Sequence, residues 1–507
     1  LAAYDPGPSF YAELAEAGLR IGELDGAFQR FQMAVDRTAP GFERAHLLGR
    51  MAWIRHYHAD GTPAFHTLRQ ALQECGRSFP DNAAGAFRHV LMLQARRSLN
   101  MRSAGARTLR ETEVLCGLYG ELARVCIESS QVGLAIAAGL CVVSTALDLP
   151  ECRARVHAEA LGAFYLAALG ARARSRRLFD RALSSAERLH DPQAIAYCHQ
   201  LGHVIFAWQG LLDESAEQAR LALVNGGQYL ELGELCLVAL GMYTIESYRG
   251  HMDRALDWLE PAIERVRVAG HAPAMFAAVE EAACAALVSS NRQDAIVHLK
   301  CRLRYVKRAA VARVGLLDQI SFQYRAQYLI ERADPGPELE LLIAEFALHK
   351  LQPKRVNLNV VVFYVQVAHA RVQQCLRATP IQRPGLVRQL ERAVHDVEAS
   401  TRLPLMYAHT HVLQAALAHF RGRSAQCDKL LVAAEKLARE ESIPWVLYAA
   451  ARLRAHRLRD QGKHEAARHE ARVAALHAQQ HAQMGRLQLI RDEFDLEEHG
   501  APHAAQR

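Results

Sequence analysis

Apolar residues recur at helical spacing along almost the whole chain, and short polar turns that contain glycine interrupt them. Gly170, Gly210 and Gly250 stand forty residues apart. A small residue follows each glycine by five positions and an alanine follows it by twelve; these residues are Ser175, Ser215 and Ala255, then Ala182, Ala222 and Ala262. A fixed period of this length predicts a repeat architecture in which each unit is a pair of helices.

The same register continues for one period on each side of these three units. It reaches Ser130 and Ala135 in one direction and Ser290 and Ala295 in the other, so five consecutive units share one phase. Small residues on the second helix of a unit allow close approach to the first helix. A two-helix unit cannot bury its apolar face alone, so we expect each unit to stack on its neighbours.

The turn around Gly210 illustrates how a unit is built. The first helix is predicted to run to Trp208, and the second resumes through Ala216 and Ala219. Glycine suits the break because it adopts a positive φ just past a helix C-terminus at little steric cost. The pattern therefore predicts an all-α chain without a sheet.

The segments GELDGAFQRFQMAVDRTAP and YRGHMDRALDWLEPAIERV repeat one pattern of small, apolar and alanine positions around a glycine. This pattern resembles tetratricopeptide repeats. The longer period is similar to the repeat arms of bacterial STAND-type ATPase regulators, such as maltose-regulon-activator-like proteins, and of ATPase-linked class III cyclases or kinases. The resemblance implies a right-handed α-solenoid of about eleven antiparallel helical hairpins, and it implies that the repeats sense a ligand or protein.

Loop spacing divides the chain into six segments. These are an irregular lead-in at 1–9, N-terminal hairpins at 10–110, five in-phase repeats at 111–312, longer degenerate hairpins at 313–400, C-terminal hairpins with a cap at 401–499, and a disordered tail at 500–507. Val360 to Phe363 could form a strand by propensity, but the apolar face continues past strand length, which favours a helix. The apolar run from Val132 to Leu147 is shorter than a membrane span and fits a second repeat helix.

Composition narrows the classes of function. Lys and Arg number 61 and Asp and Glu number 54 among 507 residues, a net charge of +7 that is too small to indicate direct nucleic-acid binding. The eleven cysteines are scattered and form no ligand or disulfide framework, which is typical of buried small residues in a reducing, cytoplasmic protein. The chain begins at Leu1, and no signal peptide is visible, so we interpret it as cytoplasmic and leave open that it is a fragment.

No phosphate-binding loop, dinucleotide fingerprint or nucleophile elbow is present in the sequence. His464 and His469 are five residues apart, whereas two zinc ligands on one helical face need a spacing of four. We therefore predict no catalytic residue, no metal site and no cofactor. An enzyme with an unrecognised site between repeats, for example around Glu246, remains the alternative, and so does a free-standing adaptor.

In repeats of the family that the chain resembles, the first helices line a concave groove. The groove-facing positions carried onto two neighbouring units are Tyr197, Gln200, Trp208, Thr244, Ser247 and Tyr248. Trp208 and Tyr248 occupy the same repeat position, so we expect them side by side. Large amphipathic side chains favour contact with a protein, peptide or small-molecule effector, although the same rings could simply pack between hairpins.

A basic stripe is the remaining candidate site. Lys300, Arg304, Lys307 and Arg308 share one face of a predicted helix. Such a face is either a solvated outer surface or a contact for an acidic partner or a phosphate. The sequence thus predicts a non-catalytic scaffold that acts as the sensing or interaction arm of a bacterial signal-transduction ATPase or transcriptional regulator, with a protein or peptide partner and no membrane contact. DNA binding through the basic helices is a third possibility, which would require an affinity that falls steeply with salt.

Overall fold

The computed structural model describes residues 6–20, 23–57, 61–98, 108–129, 131–249, 251–269, 279, 282–283, 285, 316–331, 336–353, 358–400 and 404–496. Within these ranges helices alternate with short turns and no β-strand occurs. The prediction of an all-α chain is confirmed for this part of the sequence. Val360 to Phe363 lie inside a helix, as their continuing apolar face predicted.

Thirteen helices are described before residue 270. They are α1 (Pro8–Arg20), α2 (Leu24–Arg37), α3 (Phe42–Tyr57), α4 (Gly61–Glu74), α5 (Ala83–Ser98), α6 (Leu109–Glu128), α7 (Val132–Ala146), α8 (Arg153–Ala168), α9 (Arg172–Arg188), α10 (Pro192–Gln209), α11 (Leu212–Val224), α12 (Leu232–Arg249) and α13 (Met252–Ala269).

Nine further helices are described from Leu316 onward. They are α14 (Leu316–Glu331), α15 (Gly336–Ala347), α16 (Leu358–Arg377), α17 (Arg383–Ser400), α18 (Pro404–Phe420), α19 (Ser424–Glu440), α20 (Pro444–Asp460), α21 (His464–Gln480) and α22 (Met484–Phe494).

Consecutive helices pack as pairs. The described pairs are α1 with α2, α3 with α4, α6 with α7, α8 with α9, α10 with α11, α16 with α17, α18 with α19, and α20 with α21. The first helices also contact one another: α3 packs on α6, α6 on α8 and α8 on α10, while α16 packs on α18 and α18 on α20. Each described pair therefore buries its apolar face against both its own partner and the next pair, as a repeat fold requires.

The chain divides into two compact units. The first comprises residues 1–242, 259–279 and 304–318, and the second comprises 243–258, 280–303 and 319–507. In the first unit an extended core draws residues from α1 to α8, and a further cluster joins α8, α9 and α10. In the second unit a cluster joins α20, α21 and α22.

Glycines end the first helices where the period predicted them. Gly170 and Gly210 both have φ of 80°, and Gly422 and Gly462 have φ of 71° and 73°. At Gly210 the backbone N–H donates to the Ala207 carbonyl at 3.1 Å, and the next N–H donates to the Phe206 carbonyl at 3.0 Å. These bonds satisfy carbonyl groups that the helix end leaves unpaired. Gly250 lies outside the described residues.

The small residues five positions after the glycines hold the two helices of a pair together. Ser175 Oγ donates to the Ala163 carbonyl at 2.7 Å, and Ser215 Oγ donates to the His203 carbonyl at 2.8 Å. Both serines are fully buried, and so are Ala135 and Ala255 at the equivalent position. The same contact thus recurs after forty residues, because only a short side chain fits between the two backbones.

Apolar runs and cysteines belong to the helical core. The uncharged run that begins at Val132 forms α7, which packs between α6 and α8. None of the described helices combines the length and apolar character that crossing a membrane requires. Of the nine described cysteines, eight are buried and Cys152 is partly buried. Their predicted role as small core residues is confirmed.

Candidate ligand-binding face of the first helices

Charged side chains from four helices of the first unit meet in one place, which we name the carboxylate cluster. Its members are Glu16 of α1, Arg50 of α3, Glu121 and Arg124 of α6, and Glu231 and Glu234 at the start of α12. Arg50 donates to both oxygens of Glu16 at 2.7 and 2.9 Å. Arg124 donates to Glu121 at 2.5 Å. The cluster therefore gathers four carboxylates around two guanidinium groups from distant parts of the sequence.

Glu231 lies between the two arginines. Its oxygens are 3.7 Å from Nη1 of Arg50 and 3.9 Å from Nη1 of Arg124, beyond hydrogen-bond distance. Trp53, which is buried on α3, lies under both guanidinium groups, with Cζ atoms 5.5 and 5.7 Å from its ring centroid. The indole ring thus holds the two arginines in position through cation–π contact.

Glu234 is the carboxyl group with the most altered acidity in this cluster. Its Oε2 accepts the backbone N–H of Glu231 at 3.0 Å, in the manner of a helix capping interaction. Burial, and after it the neighbouring charge of Glu231, raise the pKa of Glu234 to about 8 against the opposing charge of Arg124. Near neutral pH this group therefore exchanges between a neutral and a charged form.

Two stacked rings border the cluster. The imidazole of His157 on α8 lies against the ring of Tyr197 on α10, with centroids 4.2 Å apart and planes at 30°. Burial and then the charge of Glu234 raise the pKa of Tyr197. Burial lowers the pKa of His157 to about 4, so its ring is neutral at physiological pH. Tyr197 therefore presents a neutral aromatic surface beside Glu234.

The other residues predicted from the resemblance occupy varied positions. Gln200 is buried on the same helix as Tyr197, and Trp208 is partly buried with its ring edge-on to Phe164 at 5.7 Å. Thr244 is buried, and Ser247 accepts a hydrogen bond from Gln327 at 3.3 Å. The side chain of Tyr248 lies outside the described residues, so its predicted position beside Trp208 stays a prediction. Lys300, Arg304, Lys307 and Arg308 also lie outside them.

The second unit contains a buried polar cluster of its own. Nε2 of His369 on α16 lies 3.0 Å from Nδ1 of His409 on α18, and both rings pack on Trp445 with centroids 4.7 and 5.1 Å away. Burial lowers the pKa of both histidines, that of His409 to about 3. Neutral imidazoles therefore share one hydrogen bond inside this unit.

Helices α14 and α22 of the second unit meet beside these rings. Arg486 of α22 donates from Nη2 to Glu331 Oε1 of α14 at 2.6 Å, and its guanidinium covers Trp445 at 4.3 Å. The side chain of Glu331 is only 1% exposed. Glu246, the carboxylate weighed for an enzymatic role, is also buried and lies 3.1 Å from Nδ1 of His251. The pair of Arg486 and Glu331 therefore connects two helices of this unit, whereas the pair of Glu246 and His251 is local to one turn.

Burial suppresses the reactivity of several cysteine thiols in the described part of the chain. Burial raises the pKa of the thiols of Cys116, Cys126, Cys141, Cys198 and Cys236 to about 12. A thiol of such high pKa is a poor nucleophile at neutral pH. In the same residues no group of three or more His, Cys, Asp or Glu side chains could hold a metal ion.

Sequence reasoning selected Tyr197 but missed the charged residues around it. His157 could have been found, because it stands forty residues before Tyr197, just as His369 stands forty before His409. Arg50, Arg124 and Glu231 carry no such signal, since no fixed spacing relates them. Their meeting depends on how far successive helix pairs turn, which the local pattern does not specify.

The chain was also compared with known proteins. No protein-family model matches it, and no curated protein matches it significantly.

The raised pKa of Glu234 predicts that the stability of the fold depends measurably on pH. Because its pKa in the fold lies above its ordinary value of 4.5, the fold favours the protonated form. The stability that this proton contributes is therefore present at low pH and is lost as pH rises through about 8. Between about pH 6 and about pH 9, the melting temperature should fall more for the wild type than for Glu234→Gln.

The comparison is made by thermal denaturation followed by circular dichroism at matched ionic strength. Glutamine keeps the carbonyl that accepts the Glu231 N–H but cannot ionise. Glu217→Gln, an exposed carboxylate of α11, serves as the control and should follow the wild type. Equal pH profiles for the wild type and Glu234→Gln would contradict the assigned environment.

Proposed function

We propose that this chain is a non-catalytic helical-repeat scaffold that binds a protein, peptide or small ligand on its first helices. In the bacterial context that its repeats suggest, it serves as the sensing or interaction arm of a signal-transduction ATPase or transcriptional regulator. A right-handed, tetratricopeptide-like solenoid of hairpins is the architecture that we propose for it. The paired helices, the positive-φ glycines and the recurring serine contacts support this architecture.

The carboxylate cluster is the observation that carries the binding role. Glu231, Glu121 and Glu16 keep about a third of their side-chain surface exposed, so the cluster is open to solvent. Holding charged side chains from separate helices in one arrangement costs side-chain conformational entropy. Exposed ion pairs contribute little to the free energy of unfolding and do not offset that cost. Their concentration beside Trp53 and Tyr197 is more readily explained by recognition of a ligand than by folding.

The buried thiols and imidazoles among the described residues support a non-catalytic role. Burial raises the pKa of the Cys126 thiol to about 12 and keeps the imidazoles of His157 and His409 neutral, so none of these three groups is poised near neutral pH as a nucleophile or a general base. If the purified chain reproducibly turned over a substrate and Glu246→Gln abolished this turnover, the chain would be an enzyme and the non-catalytic role would be wrong.

Site-specific photo-cross-linking tests this proposal in the intact chain. A benzophenone amino acid placed at Trp208 lies about three turns beyond Tyr197 on the same face of α10. It should form one dominant adduct with a protein or small molecule in cells of the native host. The matched position is Val224 on the second helix of that pair, which is 63% exposed and should form no such adduct.

Mass spectrometry of the purified, irradiated chain identifies the adducts. Equal labelling from Trp208 and Val224, or no adduct from Trp208, would contradict a binding role for the first helices. Circular dichroism of each substituted chain verifies that the helices are retained before the labelling is compared.

A further inference from the structure

The outer surface of α9 is strongly basic. A line of exposed side chains follows this helix at spacings of three and four residues; its members are Arg174, Arg177, Arg181, Ser184 and Arg188. Residues so spaced share one side of a helix, and the buried Phe179 and Ala182 lie on the other side. We name the four arginines of this line the arginine face. It extends over about 21 Å, as the helical rise per residue gives.

The members of the arginine face differ in their partners. Arg181 and Arg188 each pair with a glutamate outside α9, yet 54% and 60% of their side-chain surfaces stay exposed. Arg174 and Arg177 are exposed, and neither forms an ion pair with any described residue. At least two guanidinium groups of the face are therefore uncommitted, and the other two remain accessible.

Folding does not explain these arginines. Arg174 and Arg177 lie in the first two turns of α9, where the helix dipole disfavours cations, and no acidic residue occupies the first turn. Like charges three or four residues apart on a helix also repel one another. The next pair shows that the repeat accepts the opposite charge, because Glu214 and Glu217 of α11 occupy the same positions forty residues later. The arginine face is thus a property of one pair and not of the fold.

The charges around the face indicate which kind of partner it fits. Arginine binds carboxylates and phosphates alike through paired N–H donors. Asp180 and Glu187, both exposed, follow one edge of the arginine face on α9 itself, and Glu217 is exposed on α11. These acids would repel the continuous phosphate backbone of a nucleic acid. A peptide presents its carboxylates at separate positions and can place them on the arginines alone.

We propose that the arginine face docks an acidic segment of a partner protein, whose Asp or Glu side chains repeat at helical spacing and pair with Arg174 and Arg177. Because α9 is the second helix of its pair, this surface is separate from the first helices. The docking therefore goes beyond the function proposed above and does not depend on it.

Fluorescence anisotropy with the full chain tests this docking at about 0.15 M salt, the physiological ionic strength. The probe is a labelled, acetylated and amidated peptide of glutamate and alanine, with glutamates at spacings of three and four residues. We expect it to saturate the chain. A peptide with glutamine in place of every glutamate should bind about tenfold more weakly or less, and so should a short DNA duplex.

A double variant separates binding from folding. Arg174→Gln with Arg177→Gln should lower the affinity for the glutamate peptide about tenfold or more. Its melting temperature should equal or exceed that of the wild type, because the substitutions relieve charge repulsion at the start of the helix. The matched control is Arg468→Gln with Arg472→Gln, which removes two exposed arginines from α21 and should leave the affinity unchanged.

Charge reversal gives a second test of the same contact. Arg174→Glu with Arg177→Glu should abolish binding of the glutamate peptide. The same variant should bind the corresponding lysine and alanine peptide more tightly than the wild type does, because the charges at the contact are then complementary again.

Four results would overturn the docking. The glutamate peptide may fail to saturate the chain, or the α9 and α21 double glutamine variants lose affinity equally. A melting temperature several degrees lower in the α9 glutamine variant would assign the arginines to folding. Tighter binding of duplex DNA than of the peptide, lost in the α9 variant, would identify nucleic acid as the partner. Cross-linking from Trp208 judges the first helices separately in each case.

Discussion

Replacing Arg486 with methionine should lower the free energy of unfolding of the second unit by about 3–5 kcal/mol. Arg486 donates to Glu331 at 2.6 Å, and the Glu331 side chain is 1% exposed. Methionine has similar length but no charge, so the carboxylate would remain buried without its cation. Its second oxygen already lacks a hydrogen-bond partner in the described part of the chain.

Hydrogen exchange measured by mass spectrometry locates this effect. Amides of α14 and α22 should exchange faster in Arg486→Met, because the pair joins these two helices. The double variant Glu331→Gln with Arg486→Met removes the isolated charge and should recover part of the lost stability. Arg468→Met, at an exposed position of α21, should change stability by less than about 0.5 kcal/mol. A double variant as unstable as the single one would show that the charge is not the cause.

Replacing Ser215 with leucine should cost about 2–4 kcal/mol in the first unit, through overpacking and the loss of a hydrogen bond. Ser215 is fully buried, and its hydroxyl lies 2.8 Å from the His203 carbonyl on the facing helix. A larger side chain must separate α10 from α11 or adopt a strained rotamer. Because the same contact recurs at Ser175, the result would apply to the repeat as a whole.

Ser215→Ala is the matched variant, since it removes the hydrogen bond without adding volume. It should cost only about 1 kcal/mol. Chemical denaturation followed by circular dichroism gives both values, and Glu217→Leu on the exposed side of α11 reports the effect of leucine alone. If Ser215→Leu is no less stable than Ser215→Ala, the close approach of the two helices does not depend on a small residue here.

Much of the local structure was predictable from the sequence. The forty-residue phase correctly placed the turns at Gly170, Gly210, Gly422 and Gly462, because a helix end that needs a positive φ selects glycine. It also placed the buried small residues at Ser175 and Ser215. Helical periodicity resolved Val360 to Phe363 as helix despite their strand propensity. These features depend on neighbouring residues, so a local pattern contains them.

The candidate site was only partly predictable. The resemblance selected Tyr197 and Gln200, which do lie beside one another on α10, but whether they bind a ligand stays a prediction. Nothing in the local pattern related Arg50 to Glu231, or Arg486 to Glu331. Each of these pairs joins helices far apart in the chain, and their meeting is set by the sum of small rotations between successive helix pairs.

The sequence by itself therefore determined the helices, the turns between them and the small residues at which the helices of a pair approach. Only the tertiary structure decided which charged side chains meet. It therefore also decided the pKa of Glu234 and the burial of the Glu331 side chain. The physical reason is the range of the interactions. Helix ends and close helix contacts are specified within one repeat, whereas a charge takes its pKa from every group that the fold brings near it.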